Sequence, residues 1–137
     1  METTFELKNC ESEVLAKEAV KVLLEKKAFD VKLFCVKEIS GITDYYVNAT
    51  GRSSTQVSSL AGALCQKISE RGRDELRVEG RQGNSWLLVD YGDVIVNVFD
   101  KPSRDFYNFD RIFPKEAEMD ISELVAEVDA KYDLNQN

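Results

Sequence analysis

The 137-residue sequence contains no histidine. That single absence removes Ser-His-Asp and Cys-His catalysis and also the commonest transition-metal ligand. Cysteine is scarce: Cys10, Cys35 and Cys65 are far apart, odd in number and form no Cys-x-x-Cys pair. Such spacing reads as idle, reduced thiols rather than a disulfide frame or a zinc site. No apolar run approaches the roughly 20 residues of a membrane span. The first thirteen residues carry four glutamates and one lysine. That is the wrong charge for a secretory signal or an Arg-rich transit peptide, so a cytoplasmic protein without membrane contact is expected. Neither a P-loop nor a Gly-x-Gly-x-x-Gly fingerprint occurs, and the sequence implies no cofactor and no bound metal.

What charge there is falls unevenly. The net charge is −7, and residues 114–137 carry two lysines against seven acids. The remainder is nearly balanced, with 16 basic and 18 acidic residues. Without a basic stripe the chain does not read as a binder of free DNA. A basic protein surface is the better electrostatic complement. A chain of this length forms one domain and buries a core without disulfides or metals. Residues 1–114 are read as that domain, and residues 115–137 as an acidic, flexible C-terminal tail.

Apolar spacing predicts the elements. Val14, Leu15, Ala19, Val22 and Leu23 follow a helical period over residues 12–28, with Ser12 as N-cap. Strands are predicted at Val31–Lys37 and Tyr45–Thr50. Ser53 or Ser54 then caps a long helix with Val57, Leu60, Ala61, Leu64, Cys65 and Ile68 on its apolar face. Gly72 follows that helix as a C′ glycine. Further strands are predicted at Leu76–Glu79, Trp86–Val89 and Val94–Phe99, with a turn over Gly80–Ser85. The apolar run Val94–Val98, interrupted only by Asn97, suits a strand covered on both faces at the sheet centre. Asp90-Tyr91-Gly92-Asp93 suits a solvent-facing hairpin turn, since Gly92 can take positive φ. A short helix from Arg104 to Phe109 follows, and Ser122–Lys131 reads as a weak helix with too little apolar face to pack firmly. The order implies an α+β fold: a mixed β-sheet of about five strands with packed helices.

Two segments could carry chemistry. Thr50-Gly51-Arg52-Ser53-Ser54 lies between a strand and a helix, where backbone N–H groups can hold phosphate. The plainer reading is a glycine turn followed by a serine cap. A small nucleotide-binding or nucleotidyltransferase-like enzyme using the Gly51–Ser53 turn is thus the alternative function. Such an enzyme needs paired carboxylates for magnesium on a later strand. Glu75 and Glu79 flank Arg77 on one strand face, and Arg77 would oppose a cation. Asp90 and Asp93 flank a turn.

The stretch Trp86–Tyr107 is the more informative one. Asp44-Tyr45-Tyr46-Val47, Ala49-Thr50-Gly51-Arg52-Ser53, Gln56-Val57 and Glu79-Gly80 precede it. Trp86-Leu87-Leu88-Val89-Asp90-Tyr91-Gly92-Asp93, Val94-Ile95-Val96, Arg104 and Tyr107 complete an ordered series. In these residues the chain resembles the Iojap family of ribosomal silencing factors, from about residue 12 to 114. Two features depart from the family pattern. Asn97 stands where a histidine is common, and Phe109, Asp110, Ile112 and Phe113 replace its usual closing residues. The resemblance implies a nucleotidyltransferase-like fold without catalytic residues, often homodimeric, and no enzyme activity. It implies a translational repressor that binds the large ribosomal subunit through a conserved ribosomal protein at the subunit interface. Occupying that surface would block the small subunit when nutrients run short. Tryptophan and tyrosine are favoured at binding hot spots. Trp86, Asp90, Tyr91, Asp93, Tyr107 and Asp110 are therefore the expected contact residues. For Arg104 and Asp105 the plain reading is a surface ion pair.

Overall fold

The computed structural model describes residues 6–80 and 82–136. Residues 1–5 and 137, at the ends of the two expected regions, and Arg81 in the expected Gly80–Ser85 turn lie outside them. Helix α1, Ser12–Glu25, buries Leu15, Ala16, Ala19, Val20, Val22 and Leu23 as one helical stripe, leaving Val14 outside it. Its N-cap is Glu11 rather than Ser12. The Ser12 hydroxyl instead donates to the Asp44 carboxylate at 3.0 Å, tying the helix start to the loop between the first two strands. Strand β1, Phe29–Cys35, begins two residues earlier than its composition predicts. Asp30 takes a φ of 54° there, and the register with the next strand shifts between Phe29 and Lys32. The extra residue is absorbed as a bulge instead of ending the strand.

Strand β2, Tyr45–Gly51, leads into α2, Ser54–Glu70, which Ser53 caps by accepting the Gln56 N–H at 3.1 Å. Gly72, at a φ of 105°, ends the helix in the left-handed region that a β-carbon disfavours. Strand β3, Arg77–Gly80, is followed by β4, Trp86–Asp90, and β5, Val94–Asp100. Helix α3, Lys101–Tyr107, starts three residues before the predicted point. Asp100 is its N-cap, accepting the Ser103 N–H at 2.9 Å, and Pro102 sits in the first turn where its missing N–H costs nothing. A 3-10 turn, Phe109–Ile112, strand β6, Glu118–Met119, and helix α4, Ser122–Gln136, complete the chain.

The sheet order is β3-β4-β5-β2-β1-β6. Among the described residues only β2 and β5 pair in parallel, and the other neighbours are antiparallel. The fold is thus α+β with a mixed sheet of six strands. The pleat divides the sheet into two different faces. Leu33, Val47, Ala49, Val89, Val96 and Val98 pack with α1 and α2 in the main core. The alternate positions, among them Phe34, Tyr46, Asn48, Thr50, Asn97 and Phe99, point to the opposite face. Strand β5 is buried along its length from Val94 to Phe99, as its apolar run, interrupted only by Asn97, predicts.

Two expectations change. Tyr91 is not at a solvent-facing position: it is 3% exposed and belongs to the core on the helix side. Gly92, with a φ of 93°, makes the bend, which lets Tyr91 fold back under it. The segment after residue 114 is folded against the body rather than frayed. Strand β6 pairs Glu118 and Met119 with Phe34 and Leu33, and Val128 of α4 is buried. The apolar face of α4 is small, as its sequence indicates. The ion pairs Lys21–Glu127 at 2.9 Å and Lys131–Glu25 at 3.1 Å add to it by fastening α4 to α1. Among the described residues no helix is long and apolar enough to cross a membrane.

The Tyr91 hydroxyl is buried without a hydrogen-bond partner among the described residues. An unsatisfied buried hydroxyl costs roughly 1–3 kcal/mol. Tyr91→Phe is therefore expected to be at least as stable as the parent in urea denaturation, and Tyr91→Ala to lose about 3–5 kcal/mol. A destabilised Phe variant would show that the hydroxyl is satisfied in solution. Glu18 generates a pH-dependent prediction. Burial pushes its carboxyl up, but hydrogen bonds from Arg71 and Lys21 outweigh burial and hold it below the ordinary 4.5. A carboxyl depressed in the folded state stabilises above its unfolded value, and that stability is lost as pH falls through the folded value. The melting temperature of the parent should therefore fall more between neutral pH and about pH 3 than that of Glu18→Gln. Parallel curves would count against the Glu18 contribution.

Candidate partner-binding face

The second face of the sheet is built around a line of hydrogen bonds. The Trp86 indole N–H donates to Asn97 Oδ1 at 2.9 Å. Asn97 Nδ2 donates to Asn48 Oδ1 at 3.1 Å, and Asn48 Nδ2 donates to Asp110 Oδ1 at 2.7 Å. Arg104 closes the line, donating to Asp110 Oδ2 at 2.9 Å and to Thr50 Oγ1 at 2.7 Å. Asn48, Asn97 and Thr50 are fully buried, and Arg104 is 4% exposed. The direction of the line is fixed by its ends. An indole only donates and a carboxylate only accepts, so each amide must present oxygen towards Trp86 and nitrogen towards Asp110.

Local structure places each member. Asn48 and Asn97 are directly paired across the parallel strands β2 and β5. Leu88 is opposite Asn97 in β4, and Trp86 is two residues along the same face. Asn108, at a φ of 50°, turns the chain after α3 so that Asp110 returns over β2. Aromatic rings seal the line. Trp86 packs on Phe99, Tyr107 and Phe109 with centroids 4.9, 4.8 and 5.9 Å away. Phe113 packs on Phe34 at 4.9 Å and on Tyr46 at 5.0 Å. Around this plug the surface is apolar: Phe106 is 81% exposed, Ile112 64% and Tyr107 41%. A shallow hollow of about 340 Å³ beside Trp86 is lined by Glu79, Gly80, Trp86 and Leu88.

The six expected contact residues therefore separate. Trp86, Tyr107 and Asp110 come together. Asp90, Tyr91 and Asp93 lie at the other end of β4, about 13 Å away along the strand. Both Asp90 oxygens are engaged, one by the Gly92 N–H at 2.7 Å and one by Arg77 Nε at 3.1 Å. Arg77 also pairs with Glu79. Asp93 pairs with Arg73 at 2.7 Å, and its carbonyl receives the N–H groups of Asp44 and Tyr45. Tyr91 belongs to the core, and burial pushes its phenol far up.

Arg104 and Asp105 do not form the surface pair their adjacency suggests. Asp105 pairs with Lys101 at 2.9 Å, one helical turn back, while Arg104 turns inward. Asn48, Thr50 and Arg104 are the participants that sequence reasoning missed. Their signal was the alternation Tyr46, Asn48, Thr50 within an otherwise apolar strand. Local bonds order the Gly51–Ser53 turn. Arg52 N–H donates to Gln56 Oε1 at 2.6 Å, Gln56 N–H to Ser53 Oγ, and Val57 N–H to the Ser53 carbonyl at 2.9 Å. A β-carbon on Gly51 would meet Val57 at 3.1 Å, so glycine there serves close packing.

A family model described as "Ribosomal silencing factor during starvation" matches residues 9–136. The ribosomal silencing factor RsfS of Halalkalibacterium halodurans is 37% identical over 95 residues, 69% of this chain and 81% of that protein. The chloroplastic protein Iojap of Arabidopsis thaliana is 31% identical over 105 residues, 77% of this chain and 44% of that protein. A crystal structure of a protein from Chromobacterium violaceum superposes with a TM-score of 0.72 at 31% identity, covering 75% of this chain and 86% of that one. With a family model spanning both the sheet and α4, the chain belongs to the family of ribosomal silencing factors during starvation.

Proposed function

We propose that this protein represses translation by binding the large ribosomal subunit through a ribosomal protein at the subunit interface, so that the small subunit cannot join. Starvation is the condition in which it acts, and the cytoplasm is the compartment. The observation that carries the reading is the placement of the lone tryptophan. Trp86 lies half-buried at the rim of an aromatic plug, packed on partly exposed Tyr107, which in turn meets exposed Phe106, and beside the hollow at Glu79. An aromatic anchor set beside an apolar border is the composition of a protein-binding hot spot.

Trp86 and Tyr107 form the centre of the contact. Asp110 holds the covering turn in place from behind. Asp90, Arg77 and Glu79 form a charged rim that carries one excess negative charge, which suits a basic partner. Tyr91 supports the far end of β4 from the core, and Asp93 anchors the turn through Arg73. The protein meets the ribosome as a homodimer or as a single chain with this face uncovered.

Co-sedimentation with purified large subunits in sucrose gradients tests the proposal. The parent should travel with the large subunit and reduce the yield of joined ribosomes. Trp86→Ala should weaken binding by about 2 kcal/mol, roughly thirtyfold, and Tyr107→Ala by about 1 kcal/mol. Circular dichroism would establish that both variants are folded. A parent that stays at the top of the gradient would reject the function, and folded variants with parental affinity would move the contact off this face.

A further inference from the structure

The line of hydrogen bonds behind Trp86 has a property that packing alone does not require. Its two internal members, Asn48 and Asn97, each have no exposed surface, yet both are amides rather than apolar residues. A fully buried amide is costly unless donor and acceptor are both used. Here one donor and one acceptor of each are used in series, and the series begins on the ring placed at the contact face. We infer that Asn97 and Asn48 are positioning residues for Trp86: their directional relay to Asp110 holds the indole in its binding orientation. This rests on the reading of Trp86 as a contact.

The geometry explains why the relay must be directional. Asp110 accepts from Arg104 through Oδ2, the oxygen that Asn48 does not use. Asn48 is thereby forced to turn its nitrogen to Asp110 and its oxygen to Asn97. Asn97 is then forced to turn its oxygen to Trp86, where it accepts the indole N–H. Neither amide can flip without setting two donors or two acceptors against each other. The position of Asp110 on the covering turn is therefore transmitted across β2 and β5 to the ring on β4. Lys32, 3.9 Å from Asp110, is the further charged group facing this end.

A neutral imidazole also offers one acceptor and one donor, whereas an imidazolium offers two donors. This supplies a variant that a filler role would not distinguish. Asn97→His should preserve the relay wherever the imidazole is neutral, a range that burial extends below the ordinary histidine value of about 6.5. Asn97→Leu, similar in size but without polar atoms, should break it.

The lone tryptophan makes the orientation measurable, because all indole emission comes from Trp86. The experiment is acrylamide quenching and anisotropy of that emission, together with large-subunit affinity, for the parent, Asn97→Leu, Asn97→His and Trp86→Ala. In Asn97→Leu the quenching constant should rise about twofold and the affinity should fall about tenfold, the scale of one hydrogen bond. In Asn97→His both should match the parent at pH 8, where the buried imidazole is neutral. Should Asn97→Leu not fold, Asn48→Leu tests the same relay one member further back, with the same changes expected. Parental quenching and affinity in the folded leucine variant would overturn the inference, leaving Asn97 a purely structural residue. So would a folded histidine variant that matches the leucine variant at pH 8. Parental affinity in Trp86→Ala would instead overturn the contact reading, while a change in Trp86 quenching in Asn97→Leu would still establish the relay.

Discussion

Asn48 and Asn97 are paired on adjacent parallel strands at the middle of the sheet, sealed from solvent, and each brings an amide that must be satisfied inside the protein. Much of the second face follows from that requirement. Strand alternation gives Val47, Ala49, Val96 and Val98 to the helix side and sends both amides the other way. An acceptor must then reach Asn48 and a donor must reach Asn97. The covering turn brings the first as Asp110, and β4 brings the second as Trp86. A carboxylate largely withdrawn from water needs a counter-charge, so Arg104 is drawn into the face with its remaining donor on Thr50. The aromatic rings exclude water from the line, which strengthens each bond in it.

The helices and strands were legible because their signals are local. The 3.6-residue stripe of α2, its serine cap and its terminal glycine all act within one turn, and tertiary contacts had nothing to overrule. The apolar run of β5, broken only at Asn97, specified a central strand for the same reason. The edges were less legible. Asp30 looks like a terminator, yet a bulge absorbs it because β2 offers partners on both sides of the irregularity. Tyr91 looks like a turn residue, yet the glycine after it makes the bend and leaves the ring free to pack inward.

Half of the candidate site was legible and half was not. Trp86, Tyr107 and Asp110 stand out as residue types in a dense stretch. Asn48 and Thr50 do not, because the polar face of β2 acquires a meaning only when β5 and α3 are placed over it. Arg104 illustrates the same limit. Its sequence neighbour Asp105 is the obvious partner, but helix geometry sends neighbours about 100° apart. Asp105 therefore meets Lys101 at the surface, and Arg104 meets a residue six positions on. Helix α4 was underestimated for a related reason. Its own apolar stripe is slight, and what fastens it lies on α1, more than 100 residues earlier in the chain.

The same commitment of polar groups holds at the Gly51–Ser53 turn and on β3. At the Gly51–Ser53 turn the N–H groups of Arg52 and Gln56 are engaged by the Gln56 and Ser53 side chains. Arg77, on the strand that would have to supply metal carboxylates, instead bridges Glu79 and Asp90. The polar groups of the opposite face are likewise committed to one another through the Asn48–Asn97 line. A surface whose polar atoms are already satisfied has little reorganisation left to undergo, so an aromatic anchor on it binds with less entropy lost on ordering. In the proposed role that rigidity is what the partner meets: a fixed aromatic patch made by Trp86 and Tyr107.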